Sequence, residues 1–231
     1  MAGIAPTAIY KLRLPSMSDI EFIRNLKMEI GKRVSRAQAD QNRERVIDVA
    51  SRLFRQHGLD GIGLSDLMKG AGLTQGGFYK QFASKEDLAA KACARAVTMM
   101  QEHWRAFVAR DPERPLGSLV RSYLSVEHRD APAEGCAIAA LGADAARAGP
   151  AVRLPLEEGI TAHLDYLEAL LPEDGGDRRQ RAMAIASTMI GALVLSRTVT
   201  DDALSRSILD AAAHDVIERS GAVGRSGHLV S

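Results

Sequence analysis

The scarcest feature of this sequence is aromatic side chains, at 4% of 231 residues: one Trp, four Tyr and five Phe. Alanine and leucine fill the C-terminal half instead, as in an all-helical protein. Cysteine is nearly absent as well. Cys93 and Cys136 have no CxxC spacing and no third or fourth partner, which argues against a zinc site or a disulfide framework and for a reducing cytoplasm. No apolar run reaches the length that crosses a bilayer, and the N-terminus has no signal-peptide core or cleavage site. No membrane partner is expected, and a cytoplasmic location is. Enzyme signatures are missing too. There is no GxSxG, HExxH or P-loop, and Gly61-Ile62-Gly63 is two glycines of a dinucleotide fingerprint without the strand that must precede it. The expectation is a chain with no catalytic residues, no cofactor and no metal site.

An excess of charge of one sign is also lacking, with a formal net of +1. Its distribution is uneven. Residues 1–91 carry 15 Lys and Arg against 10 Asp and Glu, a net of +5, and residues 92–231 carry 15 against 19, a net of −4. A basic N-terminal part on an acidic remainder suits a DNA reader joined to a body that does not adhere to DNA. An imbalance this modest also arises by chance, so it supports a motif and proves nothing alone. A hydrophobic content of 46% is ordinary for a soluble protein, and the length allows one or two domains.

The motif lies between Gly63 and Leu88. Leu64, Leu67 and Met68 are spaced as the apolar stripe of a short helix, with Asp66 suited to its positive N-terminal end. Gly70-Ala71-Gly72 breaks that helix. Thr74 is placed to cap a second short helix through its hydroxyl. Phe78, Tyr79 and Phe82 follow, and Ser84-Lys85-Glu86-Asp87 is the Ser-x-x-acid start of a third. Two short helices joined by a tight glycine-containing turn are the pattern of a helix-turn-helix.

From about Gln41 to Leu88 this ordered run resembles the DNA-binding domain of the tetracycline-repressor (TetR) family of transcriptional regulators. The residues that carry the resemblance are Ala50, Leu53, Phe54, Gly58, Asp66, Leu67, Ala71, Gly72, Thr74, Gly76, Tyr79, Phe82, Ser84, Lys85, Glu86 and Leu88. It implies an all-α, nine-helix architecture: an N-terminal three-helix helix-turn-helix DNA-binding domain and a C-terminal helical domain for ligand binding and dimerisation. It also implies a homodimer joined through the last two helices, a double-stranded DNA operator and a small-molecule effector. Tyr79 and Lys85 match a tyrosine and a lysine that bond phosphates in the family, and the start of the helix at Lys85 is itself an anion site. The other reading of Tyr79 is a core tyrosine with only its hydroxyl at the surface.

Base reading needs short or flexible polar side chains where a helix enters the major groove. Thr74, Gln75, Gly76 and Gly77 occupy those positions, and Gln75 can pair bidentately with adenine. Lys80 and Gln81 follow within reach of bases or backbone, while Phe78 and Phe82 are expected in a small core with Leu53, Phe54 and Leu67. Two positions depart from the family. Gly63 stands where many members have threonine and leaves only backbone N–H groups for a phosphate. Gly77 follows Gly76 at a cost of about 1 kcal/mol per glycine relative to alanine, as in a flexible or closely approaching recognition helix.

Along the rest of the chain, residues 1–35 read as an N-terminal extension, disordered or an over-extended start. Ile20, Phe22, Ile23 and Leu26 suit a short helix, and a basic arm of Lys27, Lys32, Arg33 and Arg36 touching DNA is the alternative. The first helix of the head, residues 36–91, is expected from about Ser35 to His57. Val46, Val49, Ala50, Leu53 and Phe54 form its buried stripe, and Arg43, Arg45, Arg52 and Arg55 lie outside it. A long helix from Ser84 to about Arg110 leads into the body, residues 92–221. There helices are expected over 115–129, 134–148, 151–171, 177–199 and 202–220, separated by proline, glycine and aspartate breaks. Residues 222–231 read as a tail.

In the body, the helix at 177–199 is apolar around much of its circumference, more than one side of a small bundle buries. Trp104, Phe107, Tyr123, His128, Cys136, His163, Tyr166 and Met183 are candidates to line an effector pocket. Few charges interrupt these helices, which suits a neutral or hydrophobic effector. Cys136 sits near a helix start, where a thiolate is favoured, so it is open to a sensing role. A small residue packing beneath Leu141 is the preferred reading. Control by a protein partner or by cysteine modification, or a DNA-binding protein without an inducer, remains the alternative to effector release.

Overall fold

The computed structural model describes residues 17–173 and 176–220. The chain divides into two units, one up to Arg43 and one from Glu44 onward. In the first, every described residue is helical, forming the opening part of α1 (Met17–His57). This helix starts well before Ser35 because the stretch is proline-free and rich in helix-forming Glu, Lys, Arg and Met, with Pro15 just outside. The short helix expected around Ile20 to Leu26 is therefore part of α1. Arg36 is exposed; the side chains of Lys27, Lys32 and Arg33, residues 1–16 and the tail 222–231 lie outside the described residues.

In the second unit the end of α1 meets α2 (Leu64–Gly70), a 3₁₀ helix (Gln75–Lys80) and the start of α3 (Lys85–Arg110). Val46, Ala50, Phe54, Leu67, Met68, Phe78, Phe82 and Leu88 are all buried in one cluster, with Leu53 packed against it. Each large apolar side chain so buried contributes about 1.5–3 kcal/mol. The turn after α2 is set by Gly72 at φ +70°. Its N–H donates to the Lys69 carbonyl at 2.9 Å, and the Leu73 N–H donates to the Met68 carbonyl at 2.9 Å. This pair of bonds closes a helix end when the residue after the cap takes the left-handed conformation. Ser84 caps α3, its hydroxyl accepting from the Asp87 N–H at 3.0 Å, while the Asp87 carboxylate accepts from the Ala83 N–H at 3.1 Å.

The body is α3 with α4 (Pro115–Tyr123), α5 (Val126–Asp130), α6 (Ala137–Arg147), α7 (Pro150–Leu170), α8 (Arg178–Thr198) and α9 (Asp202–Arg219). Nine α-helices, one 3₁₀ helix and no strand are present among the described residues. The helix expected over 115–129 is two helices. The chain leaves helical geometry at Leu124, and the Ser125 hydroxyl accepts from the His128 N–H at 3.2 Å to start α5. The helix expected from Glu134 begins instead at Ala137, with Cys136 as its N-cap. Trp104, Tyr123, Leu167, Met189, Leu193 and Leu209 belong to a second buried cluster, where α3 packs on α7, α7 on α8 and α8 on α9.

Arg55, which lies outside the buried stripe expected for the first helix, is nevertheless buried. It is 3% exposed and donates to the Ser51 carbonyl at 3.1 Å and the Gly135 carbonyl at 3.0 Å. The end of α1 is covered on two sides, by its own head and by residues 131–147, so a single buried stripe undercounts its contacts. Arg52 pairs with Glu134 at 3.1 Å, and the Leu59 N–H donates to the Asp144 carboxylate at 2.9 Å. Burial lowers the Arg55 pKa, with the charge of Glu134 opposing that shift.

Candidate functional site

The recognition segment is an exposed strip held from behind. Phe78 and Phe82 are buried and stack with centroids 5.3 Å apart, which fixes the backbone between them. Thr74, Gln75, Gly76, Tyr79 and Lys80 face solvent, and Gly77 and Gln81 are half-buried. Tyr79 is 73% exposed and touches the protein through an edge contact with Phe78, at 5.1 Å and 87°. The core reading of Tyr79 therefore does not hold. Thr74 is the N-cap residue, but its side chain makes no cap hydrogen bond; the backbone does the work, the Gly77 N–H donating to the Thr74 carbonyl at 3.1 Å. The segment is 3₁₀ rather than α-helical, in keeping with two adjacent glycines that favour no helix. A Cβ built on Gly76 or Gly77 meets nothing within 4 Å, so neither glycine is required by packing inside this chain.

Two further candidate positions flank the strip. Lys85, half-buried in the first turn of α3, holds its ammonium 6.0 Å from the Phe54 ring centroid. Gly63 is exposed and precedes α2 without a side-chain cap, as expected for glycine there.

In the body a cavity of about 200 Å³ is lined by residues of α3, α4 and α5 and by the loop before α6. Of the expected pocket residues it brings together Trp104, Phe107, Tyr123 and His128. A second cavity, of about 20 Å³, is lined by Trp104, Tyr123, Cys136 and His163 with residues of α7 and α8. Tyr166 lines neither, though its ring centroid is 6.0 Å from that of Trp104. Met183 is 47% exposed on α8 and lines neither cavity, a correction to its place among the pocket candidates. It occupies the outer side of a helix that turns Ile185 and Met189 inward.

His128 lines the larger cavity, but both of its ring nitrogens are committed. Nδ1 lies 2.7 Å from the Tyr123 carbonyl, and Nε2 accepts from the Cys136 N–H at 3.0 Å, which assigns the proton to Nδ1. Burial pushes its pKa down to about 4, so it is neutral at pH 7. A Cβ on Gly135 would come within 2.7 Å of that Nε2, so only glycine lets the loop close on the ring. Cys136 itself is 1% exposed, which fits the packing reading, and burial raises the Cys93 thiol to about 11.

Residues 46–92 match the family described as bacterial regulatory proteins, tetR family. Over these residues the chain belongs to the TetR family. Among curated proteins, the transcriptional regulator AcrR of Shigella flexneri is 32% identical over 87 residues, 38% of this chain and 40% of AcrR. The transcriptional regulator LmrA of Bacillus subtilis is 26% identical over 167 residues, 68% of this chain and 87% of LmrA. The chain thus spans well under half of AcrR. A solved TetR-family regulator from Cytophaga hutchinsonii has the same fold, with a TM-score of 0.68 at 22% identity, covering 79% of this chain and 96% of that one.

In the lining of the larger cavity, sequence reasoning missed Met100, His103, Leu119, Ser122, Glu127, Glu134 and Gly135 among others. Some carried a signal. Met100 and His103 precede Trp104 and Phe107 at helical spacing, and Leu119 does the same for Tyr123. Gly135 carried none, because its role depends on a histidine seven residues away.

Proposed function

We propose that this TetR-family chain is a homodimeric repressor that binds a palindromic operator in double-stranded DNA and releases it when a small-molecule effector occupies the body. The observation that carries the DNA half is the exposed strip Thr74–Lys80, anchored by two buried phenylalanines while Tyr79 stands free at 73% exposure. In this reading Gln75 reads a base edge, with Thr74, Lys80 and Gln81 beside it. Tyr79 and Lys85 bond phosphates, helped by the α3 N-terminus. Gly63, Gly76 and Gly77 let backbone approach the duplex.

Residues 36–91 serve as the DNA-binding domain and residues 92–221 as the effector and dimerisation domain. Exposed Met183, Val194 and Leu195 on α8 and Leu204 on α9 support a dimer face on the last two helices. A twofold there sets two recognition segments about 34 Å apart, one DNA turn. The effector releases DNA only if it prefers the conformation that binds DNA less well. A DNA target places the protein in the bacterial cytoplasm.

Selection from a random-sequence DNA library across a salt series tests this. A palindromic site is expected, lost when Tyr79→Ala and Lys85→Ala are combined. A steep salt dependence with no enriched motif would mean phosphate contacts alone and would reject operator reading.

A further inference from the structure

Three buried polar groups in the body have no nitrogen or oxygen hydrogen-bond partner within the protein: Trp104 Nε1, the Tyr123 hydroxyl and His163 Nε2. Their side chains are only 4, 4 and 5% exposed. Leaving one such group unmet costs about 1–3 kcal/mol. All three residues line the 20 Å³ cavity, whose remaining wall has no charged side chain. The Cys136 thiol is part of that wall and meets the Tyr123 hydroxyl alone, and only weakly, since a thiol is a weak donor and a weak acceptor. Trp104 and Tyr123 also line the 200 Å³ cavity, so this pair stands between the two spaces.

Size and polarity then constrain the occupant. The smaller cavity admits one oxygen atom, since a water needs about 10–15 Å³. The larger one slightly exceeds the roughly 150 Å³ of an apolar cavity known to take benzene. An indole N–H only donates, so the occupant must present an acceptor to Trp104. His163 is stacked on Trp104, with centroids 4.3 Å apart, and burial lowers its pKa to about 4, leaving the ring neutral. No Lys or Arg lines either cavity, so a carboxylate there would have no direct ion-pair partner, and Glu127 and Glu134 in the wall of the larger cavity repel anions. An ammonium group would point its protons at the indole N–H. A neutral hydroxyl meets every condition, accepting from Trp104 while donating to His163 or Tyr123.

We propose that the two cavities form one site for a small neutral hydroxylated arene, its ring in the larger space and its hydroxyl among Trp104, Tyr123 and His163. This names the effector class of the function proposed above and rests on that reading for its regulatory meaning. Calorimetry with 4-ethylphenol, ethylbenzene and 4-ethylbenzoate tests it on the intact protein. The phenol should bind at least tenfold tighter than the hydrocarbon, with the benzoate weakest, and Tyr123→Phe or His163→Phe should cut the phenol's advantage below threefold. The chain has one tryptophan, so a single indole N–H resonance reports directly. It should move downfield with the phenol and not with ethylbenzene. No binding by any of the three, or a hydrocarbon or benzoate equal to the phenol, overturns the assignment and leaves a cavity that serves only a buried water. Operator affinity is measured separately. Binding in the expected order without change in DNA affinity supports the site and removes its regulatory role, whereas failure of the ligand-free protein to bind DNA rejects the regulator reading alone.

Discussion

Gly72 and Tyr79 stand seven residues apart and do opposite jobs. Gly72 serves the fold: its φ of +70° closes the turn between α2 and the recognition segment. An alanine there meets no atom within 4 Å, so Gly72→Ala should lose about 1–2 kcal/mol from backbone strain alone, read as a lower urea midpoint. Tyr79, in the proposed reading, serves the DNA. Tyr79→Phe should change stability by under about 0.5 kcal/mol, as at other exposed sites, yet weaken operator binding through the lost phosphate bond. Gly76→Ala should raise stability by up to about 1 kcal/mol while reducing DNA affinity, because its Cβ is tolerated by the protein and not by a closely approaching duplex. Fluorescence anisotropy on the selected site checks both. The buried partners of this segment were legible in the sequence, since Phe78 and Phe82 sit one helical turn apart beside apolar Leu67 and Phe54. The Thr74 cap was not, because a 3₁₀ turn over Gly76-Gly77 satisfies the N–H from the Thr74 backbone instead.

At the scale of elements, α1 joins the two working regions. Arg55 was placed outside the buried stripe because periodicity sees one buried face, whereas residues 131–147 cover a second. Arg55 donates to the carbonyl of Gly135, and Gly135 both lines the larger cavity and presses on His128. α5, which carries His128, is held from the other side: Arg197 of α8 donates to the carbonyls of His128 and Arg129 at 2.7 and 3.0 Å. The loop before α6 is therefore bonded to α1 on one side and to α5 on the other. Arg55→Leu should cost about 1–3 kcal/mol, the penalty of a buried carbonyl left unbonded. It should also lessen the change in DNA affinity caused by a cavity ligand, while each partner alone still binds. Equal coupling in the variant and the parent would show that the signal takes another route. Charge spacing along α1 gave no sign of this contact, since its acceptor lies 80 residues away.

For the whole molecule, His128 and His163 link stability to pH. Both are buried and neutral, with pKa values lowered from 6.5 to about 4 by desolvation. Between those values the unfolded chain binds protons that the folded chain refuses, so stability is fully present above pH 6.5 and falls as pH drops towards 4. At pH 5 each histidine should cost about 2 kcal/mol. Urea unfolding at pH 7 and pH 5 should show that loss, and His163→Phe should remove about half of it. The all-helical architecture and the order of its helices were readable from breakers and periodicity. The cavity was readable only in part, because its walls come from three helices and a loop whose mutual facing the periodicity of each helix does not show.

The central claim is that the exposed strip reads DNA sequence. Its most direct measurement is the affinity of the parent and of Gln75→Ala for the selected operator and for every single-base variant of it. Loss of discrimination worth about 1–3 kcal/mol at one symmetric position in each half-site, with other positions unchanged, is the predicted result. A uniform weakening across all positions, or no change at any, would contradict it.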